Sequence, residues 1–486
     1  MSKLTGLQTP ADVFAARRIQ DVSLPVAIAL LVVVLLAPLP FGSVMTWAWA
    51  PLAAITAIIL AVWAVLALLG RVTFTKPVGW VQAAALMFGI VLLWVIIQAS
   101  PFTPRSWHHP IWLEASKALG GTYSGKISLD PSETMSVFLR LLWYATVFWL
   151  ALQMGRNSNY VRTSLRLIAW TGLAYAAYGL LVKFTGWEMV LWVKKFVYQT
   201  DVTGTFINKN SFAAHAGTSL ICVTALLIDS IVNISSAEAN KAGRLAAAVN
   251  QLIGQNWYLI LSWVVIFSAI ILSNSRAGLV CSVIGVMALI VALSFSKAVS
   301  SRVGRWFGVI VVLAIAGIFV VSGDTIQRSF KYVGEQTHSR TAIYVTTLEM
   351  IGDAPVLGMG LGTYPQVFQI YRKSGREHRV PARKAHNTYL ENAAELGVPA
   401  AILLVAALGI VFLMCIKGVG SRRRNVVLPA IGIGATVLLG LHSIVDFSLQ
   451  IPGIAASYAF ILGLACAQSQ STGRPRRSRA AAKRSG

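Results

Sequence analysis

Charge is what this chain has least of. Only 12% of its 486 residues are Asp, Glu, Lys or Arg, about half the share found in soluble domains. A water-soluble fold of this length is therefore excluded, and the 56% of hydrophobic residues points to a polytopic membrane protein. Acids are scarcer still, with 17 Asp and Glu against 41 Lys and Arg and a formal charge of +24. No Asp-x-Asp occurs, so nothing supports a divalent cation held by paired carboxylates for nucleotide-sugar chemistry. A phosphate-binding P-loop is also missing, and Gly358, Gly360 and Gly362 in LGMGLGTY lack the third-glycine spacing of a dinucleotide site and read as a tight turn. Cysteine is limited to Cys222, Cys281, Cys415 and Cys466. All four fall in apolar runs, with neither disulfide pairing nor metal-ligand spacing.

What the chain does have is apolar runs near the length of about 20 residues that crosses a bilayer. They lie near 24–41, 48–69, 79–99, 136–154, 164–182, 212–233, 257–274, 277–296, 306–322, 397–416, 426–445 and 453–469. The fold expected is an all-α polytopic membrane protein of about twelve transmembrane helices, with a large loop between the ninth and tenth spans. The first run lacks a small-residue cleavage site and reads as a retained helix. Twelve spans place both termini on one side, which carries 23 Lys and Arg; the short loops opposite carry nine. The other nine lie in the loop 323–396, whose length exempts it from the count. Both termini are therefore expected in the cytoplasm, with 1–23 as a cytoplasmic segment, 24–469 as the membrane domain and 470–486 as a basic tail. Arg474, Arg476, Arg477, Arg479, Lys483 and Arg484 of that tail suit anionic lipid. No aromatics interleave with them, which argues against nucleic acid.

Three loops on the outward side are long enough to hold structure. Residues 100–135 carry the adjacent pair His108 and His109, a poor metal signature. Residues 183–211 join the amphipathic aromatic stretch WEMVLWVKKFVYQ, expected in the headgroup plane, to the turn TGTFINKN. The third loop, 323–396, has a net charge of only +2, but six cations fall between Arg372 and Lys384. Such a cluster fits a phosphate-bearing ligand or, equally on charge alone, anionic lipid. Arg276 in SNSRAG sits between two apolar runs, where an arginine costs about 3 kcal/mol unless it is paired, snorkels or lines a wet cavity. His442 and Asp446, four residues apart, are expected to stack on one helix face, where the pair holds one imidazole tautomer or meets an arginine, with a proton relay as the alternative. His215 and His442 read as core residues, His338 and His378 as solvated ones.

The segment HNTYLENAAELGVPA from His386 resembles the motif of the O-antigen ligase and O-antigen polymerase superfamily, in which His-Asn is followed after nine residues by a glycine, here Gly397. TGTFINKNSFAAH (203–215), SRAG around Arg276, SRTAIYVTTLEMIGDAPVLGMGLGTY from Ser339 and HSIVDFSLQIP from His442 are similar to further segments, in the family's order. The family often has Gly, Thr or Tyr three residues after the motif glycine; this chain has Ala400.

The resemblance implies a GT-C type glycosyltransferase of the bacterial inner membrane, active at the periplasmic face. Its donor would be a glycan on undecaprenyl pyrophosphate and its acceptor lipid A-core or another glycan, with membrane lipids as further partners and no metal, cofactor or nucleic acid. It implies that Arg276, Arg340 and Arg383 bind the pyrophosphate, and that His386 takes or orients the proton of the attacking hydroxyl. Asn387, which opens the following helix, and Lys384 are implied to bind substrate alongside Arg383. Asn208, Lys209 and Asn210 would line a substrate entrance, while Glu391 and Glu395 pair with nearby cations. Ligase and polymerase of this superfamily both remain open. A flippase of lipid-linked sugar would instead predict mid-membrane charges and two similar halves, neither of which is seen.

Overall fold

The computed structural model describes residues 10–234, 250–296, 333–372, 382–422 and 424–470. The protein is an all-α polytopic membrane protein. Its helices are α1 Pro10–Leu36, α2 Thr46–Leu68, α3 Gly79–Ala99, α4 Ile111–Leu119, α5 Pro131–Met154, α6 Ser158–Phe184, α7 Lys209–Ile234, α8 Trp257–Leu272 and α9 Arg276–Ser294. After the undescribed stretch 297–332 follow α10 Val333–Asp353, α11 Tyr364–Tyr371, α12 Thr388–Leu396, α13 Val398–Ser421, α14 Val427–His442 and α15 Pro452–Ser469. Eight of these are long and apolar enough to cross a membrane, and 23–36, α8 and α14 are shorter apolar helices. Eleven of the twelve expected spans thus have a helical counterpart; the span at 306–322 lies outside the described residues. Helix α1 begins at Pro10, well before the expected start near residue 24.

Two helices form the middle of the bundle. Within their apolar windows α7 is buried on every side and α15 almost so, whereas α2 and α3 bury only about a fifth of theirs. Lipid offers no hydrophobic drive for helices to meet, so close approach depends on small residues. Gly463 of α15 would place a Cβ 2.5 Å from the Phe148 carbonyl of α5, and Gly155 just beyond α5 would place one 2.8 Å from Ala467. Helices α9 and α14 cross at facing glycines: a Cβ on Gly285 would stand 2.9 Å from the Gly434 carbonyl, and one on Gly434 the same distance from the Gly285 carbonyl. All four cysteines are buried and free.

The helices alternate in direction, so their connections gather at two poles. At one pole Arg162 pairs with Asp229 and donates to Asn425, while Gln468 reaches the carbonyls of Gly155 and Arg156. At the other, Thr205 donates to the Pro38 carbonyl, Val202 N–H to that of Leu272, and Gln98 to those of Leu357 and Glu395. This second pole is called the site pole below.

The aromatic-rich stretch at the site pole contains a two-stranded hairpin, Met189–Val190 with Val193–Lys194. Trp187, Trp192 and Phe196 stand exposed around it. The LGMGLG run is a tight turn, with φ of +65°, +101° and +88° at Gly358, Gly360 and Gly362. Its packing explains the composition: a Cβ on Gly358 would lie 2.3 Å from the Glu395 carbonyl, where α12 meets α13. An open groove of about 510 Å³ separates α4 from α11, lined by Trp112, Gln366, Gln369 and apolar neighbours.

Candidate active site

Helix α12 begins because Asn387 caps it, its Oδ1 accepting the N–H groups of Tyr389 and Leu390 at 3.0 Å each. The residue before the cap, His386, is left-handed at φ +52°, a conformation that costs a non-glycine residue about 1–3 kcal/mol and persists only where neighbours impose it. The Tyr344 hydroxyl donates to the His386 carbonyl at 3.1 Å, and the Thr388 N–H donates to the Ser443 carbonyl at 2.8 Å. The imidazole is thereby turned toward the α14–α15 connection. Its edge meets the Phe447 ring with centroids 5.1 Å apart, and its Nδ1 stands 3.5 Å from Asp446 Oδ1. That is an ion-pair distance, longer than a formed hydrogen bond.

Asp446 is only 1% exposed. Its Oδ1 also accepts the Phe447 N–H at 2.8 Å, and its Oδ2 has no protein partner. Burial pushes its carboxyl up, but His386, His442 and the Phe447 N–H outweigh burial and hold it below the usual carboxylate range. Arg340 of α10 donates to the carbonyl of Val445, the residue before Asp446, at 3.3 Å. His386, Asp446 and Arg340 are therefore brought together from three segments.

A second cluster adjoins them. Asp201 receives Lys209 Nζ on Oδ2 at 2.8 Å and Asn274 Nδ2 on Oδ1. Its backbone carbonyl takes Lys195 Nζ at 3.0 Å. Asn208 caps α7, accepting the N–H of Asn210 at 2.7 Å, and Asn210 Oδ1 accepts from the Ser275 hydroxyl at 2.8 Å. Arg276, the next residue, is the first of α9. Tyr198 joins the clusters. Lys209 Nζ lies 5.2 Å from its ring centre, and its phenol is held above the ordinary range by burial and Asp446, opposed by Arg340 and reinforced by Asp201.

Lys384 donates to Glu391 Oε1 at 2.9 Å. Burial pulls its ammonium down, yet Glu391 and Glu395 outweigh that and hold it above its ordinary range. The expected pairing of Glu391 with a cation is thus present. Glu395 instead accepts the Tyr364 N–H at 2.8 Å, and burial beside Glu391 pushes its carboxyl up to about 7. Arg383 is exposed next to Lys384. Of the remaining loop cations, Arg328, Lys331, Lys373, Arg376 and Arg379 lie outside the described residues, as do His378, the side chain of His338 and the tail arginines.

His442 and Asp446 stand one turn apart where α14 ends, the Asp446 N–H donating to the His442 carbonyl at 2.9 Å. Ser448 partners His442 Nδ1 at 3.0 Å, which frees the Asp446 side chain for His386. Sequence reasoning also passed over Asp201, Tyr198 and Tyr344. No spacing could have linked Asp201 to Asn274, since the contact depends on α6, α7 and α8 ending at one pole.

Residues 261–405 match the family described as O-antigen ligase. Over this stretch the chain is similar to the O-antigen ligase and polymerase superfamily, and the match supports that reading. No curated protein matches the chain. The O-antigen ligase region runs from within α8 to within α13, so it contains Arg276, Arg340, Arg383, Lys384, His386 and Asn387. Asp446 and the Asn208–Asn210 turn lie beyond it and complete the site from either side.

Proposed function

We propose that the protein is a GT-C type glycosyltransferase that moves a glycan from undecaprenyl pyrophosphate to lipid A-core at the periplasmic face of a bacterial inner membrane. The observation that carries this reading is the approach of His386, Asp446 and Arg340 within a superfamily that acts in O-antigen assembly. The acceptor hydroxyl attacks the anomeric carbon, the bond from that carbon to the pyrophosphate oxygen breaks, and the pyrophosphate leaves on its lipid. His386 takes the hydroxyl proton, and the ionised Asp446 stabilises the imidazolium that forms; a well-placed base contributes about 10²–10⁴ in rate. Arg340, Arg276 and Arg383 offset the charge developing on the leaving group without a metal, a term of about 3 kcal/mol per stabilising group. Arginine suits this role because it stays charged and can grip phosphate through two donors. Asn208, Lys209 and Asn210 border the donor on the α7 side, with Asn387 beside the base. On this reading 24–469 is the membrane catalytic domain, the termini face the cytoplasm, and the tail 470–486 rests on anionic lipid.

The test is purified protein in proteoliposomes with a lipid-linked glycan donor. His386→Ala and Arg276→Ala are each expected to abolish transfer while the protein stays folded; activity retained by either would refute its assigned role. A polymerase of the same superfamily would share the donor chemistry and differ in acceptor. A deletion strain separates them: lipid A-core lacking O-antigen, with polymer accumulated on the carrier, means ligase, and single repeats mean polymerase. Loss of lipid-linked donor from the periplasm would mean a flippase.

A further inference from the structure

Glu391 is fully buried, and both of its oxygens reach back to the segment that leads into His386. Oε1 accepts from Lys384 Nζ at 2.9 Å, and Oε2 accepts the backbone N–H of Ala385 at 2.8 Å. The acceptor thus sits in the first turn of α12 while the donors stand immediately before the left-handed residue. Downstream of His386 the chain is fixed independently: Asn387 caps the helix, and the Thr388 hydroxyl donates to the Asp446 carbonyl at 3.0 Å. A left-handed histidine between two pinned segments has one orientation available, and Glu391 supplies the upstream pin.

We propose that Glu391 is the positioning residue for His386, its carboxylate holding the Ala385 N–H and with it the turn that aims the imidazole at Asp446. Lys384 neutralises that buried carboxylate and contributes nothing further to the clamp or to the pyrophosphate site. The catalytic part rests on the reading of His386 as the base; the positioning part stands on geometry alone.

Two variants of the full chain in lipid nanodiscs test the proposal. Glu391→Ala removes both bonds. Glu391→Gln combined with Lys384→Met removes the ion pair without orphaning a buried charge, while the new amide oxygen still accepts from Ala385. Amide exchange across residues 383–390 is followed by mass spectrometry alongside transfer at saturating donor. In Glu391→Ala exchange at Ala385 should accelerate about tenfold or more, and kcat should fall about thirtyfold with donor KM within about threefold of the parent. The double variant should keep its protection and stay within about fivefold of the parent kcat. Unchanged exchange in Glu391→Ala, or faster exchange with kcat intact, overturns the proposal. So does a double variant whose donor KM rises about tenfold, since Lys384 would then contact the donor. If Glu391→Ala fails to fold, the double variant still decides, because lost protection or lost turnover there contradicts a backbone clamp. Activity in His386→Ala would sink the base assignment and leave the exchange result untouched.

Discussion

Asp446→Asn isolates one charge, because asparagine keeps an oxygen for the Phe447 N–H that Asp446 Oδ1 now accepts at 2.8 Å. The carboxylate stands 3.5 Å from His386 Nδ1, and at an effective dielectric near 20 a full pair of charges at that distance attracts by about 4.7 kcal/mol. That value is a ceiling: the imidazole side chain is 30% exposed, and solvent screens part of the attraction. On the reading of His386 as the base, the attraction acts on the proton that it takes in the transition state. A loss of about 3–4 kcal/mol then appears as a fall in kcat of about 10²–10³ with little change in donor KM. The assay is single-turnover transfer from a lipid-linked donor in proteoliposomes. Residues acting as one unit are non-additive, so Asp446→Asn combined with His386→Ala should be no slower than His386→Ala alone. A kcat within about threefold of the parent, or fully additive losses, would refute the dyad.

Glu395 titrates near 7 when folded because burial beside Glu391 favours its neutral form. A carboxyl raised in this way supports the fold fully below the ordinary glutamate range and loses that support as pH rises through about 7. Glu395→Gln should therefore match the parent in thermal unfolding near pH 4 and unfold at a higher temperature near pH 9; equal stability at both would contradict the burial assignment. Gly285→Val drives a side chain into the Gly434 carbonyl and Leu438, and should lower the unfolding temperature in detergent by the 1–3 kcal/mol typical of overpacking. An unchanged transition would show that α9 and α14 can separate without cost. Asp201→Ala leaves Lys209 and Asn274 without their shared acceptor. Hydrogen bonds to charged groups contribute about 1.5–3 kcal/mol, so donor KM should rise about 10- to 100-fold if Lys209 borders the donor; an unchanged KM would remove Lys209 from that role.

The helical class and most spans are legible in the sequence because each span carries its own apolar length. Asn387 was legible through the family motif as the residue that opens α12, whereas the left-handed turn at His386 was not read from the sequence. Asp446 was visible as the partner of His442 four residues before it, but not as the partner of His386, which lies on a distant segment of the chain. The Asp201 hub and the Tyr198 bridge were invisible, being products of three helices ending at a common pole. Lys384 reads from the sequence as one cation among six, and only the fold shows that it answers to Glu391.

The position of α15 bears on how the protein is made. Translation reaches this helix after every other described one, yet it occupies the middle of the bundle, pressed against α5 through Gly463 and Gly155. Its neighbours must therefore enter the bilayer with a vacancy between them and admit it afterwards. Asp446 lies just ahead of α15, so the carboxylate meets His386 only as that vacancy closes. A half-inserted chain would hold the basic groups without the acid.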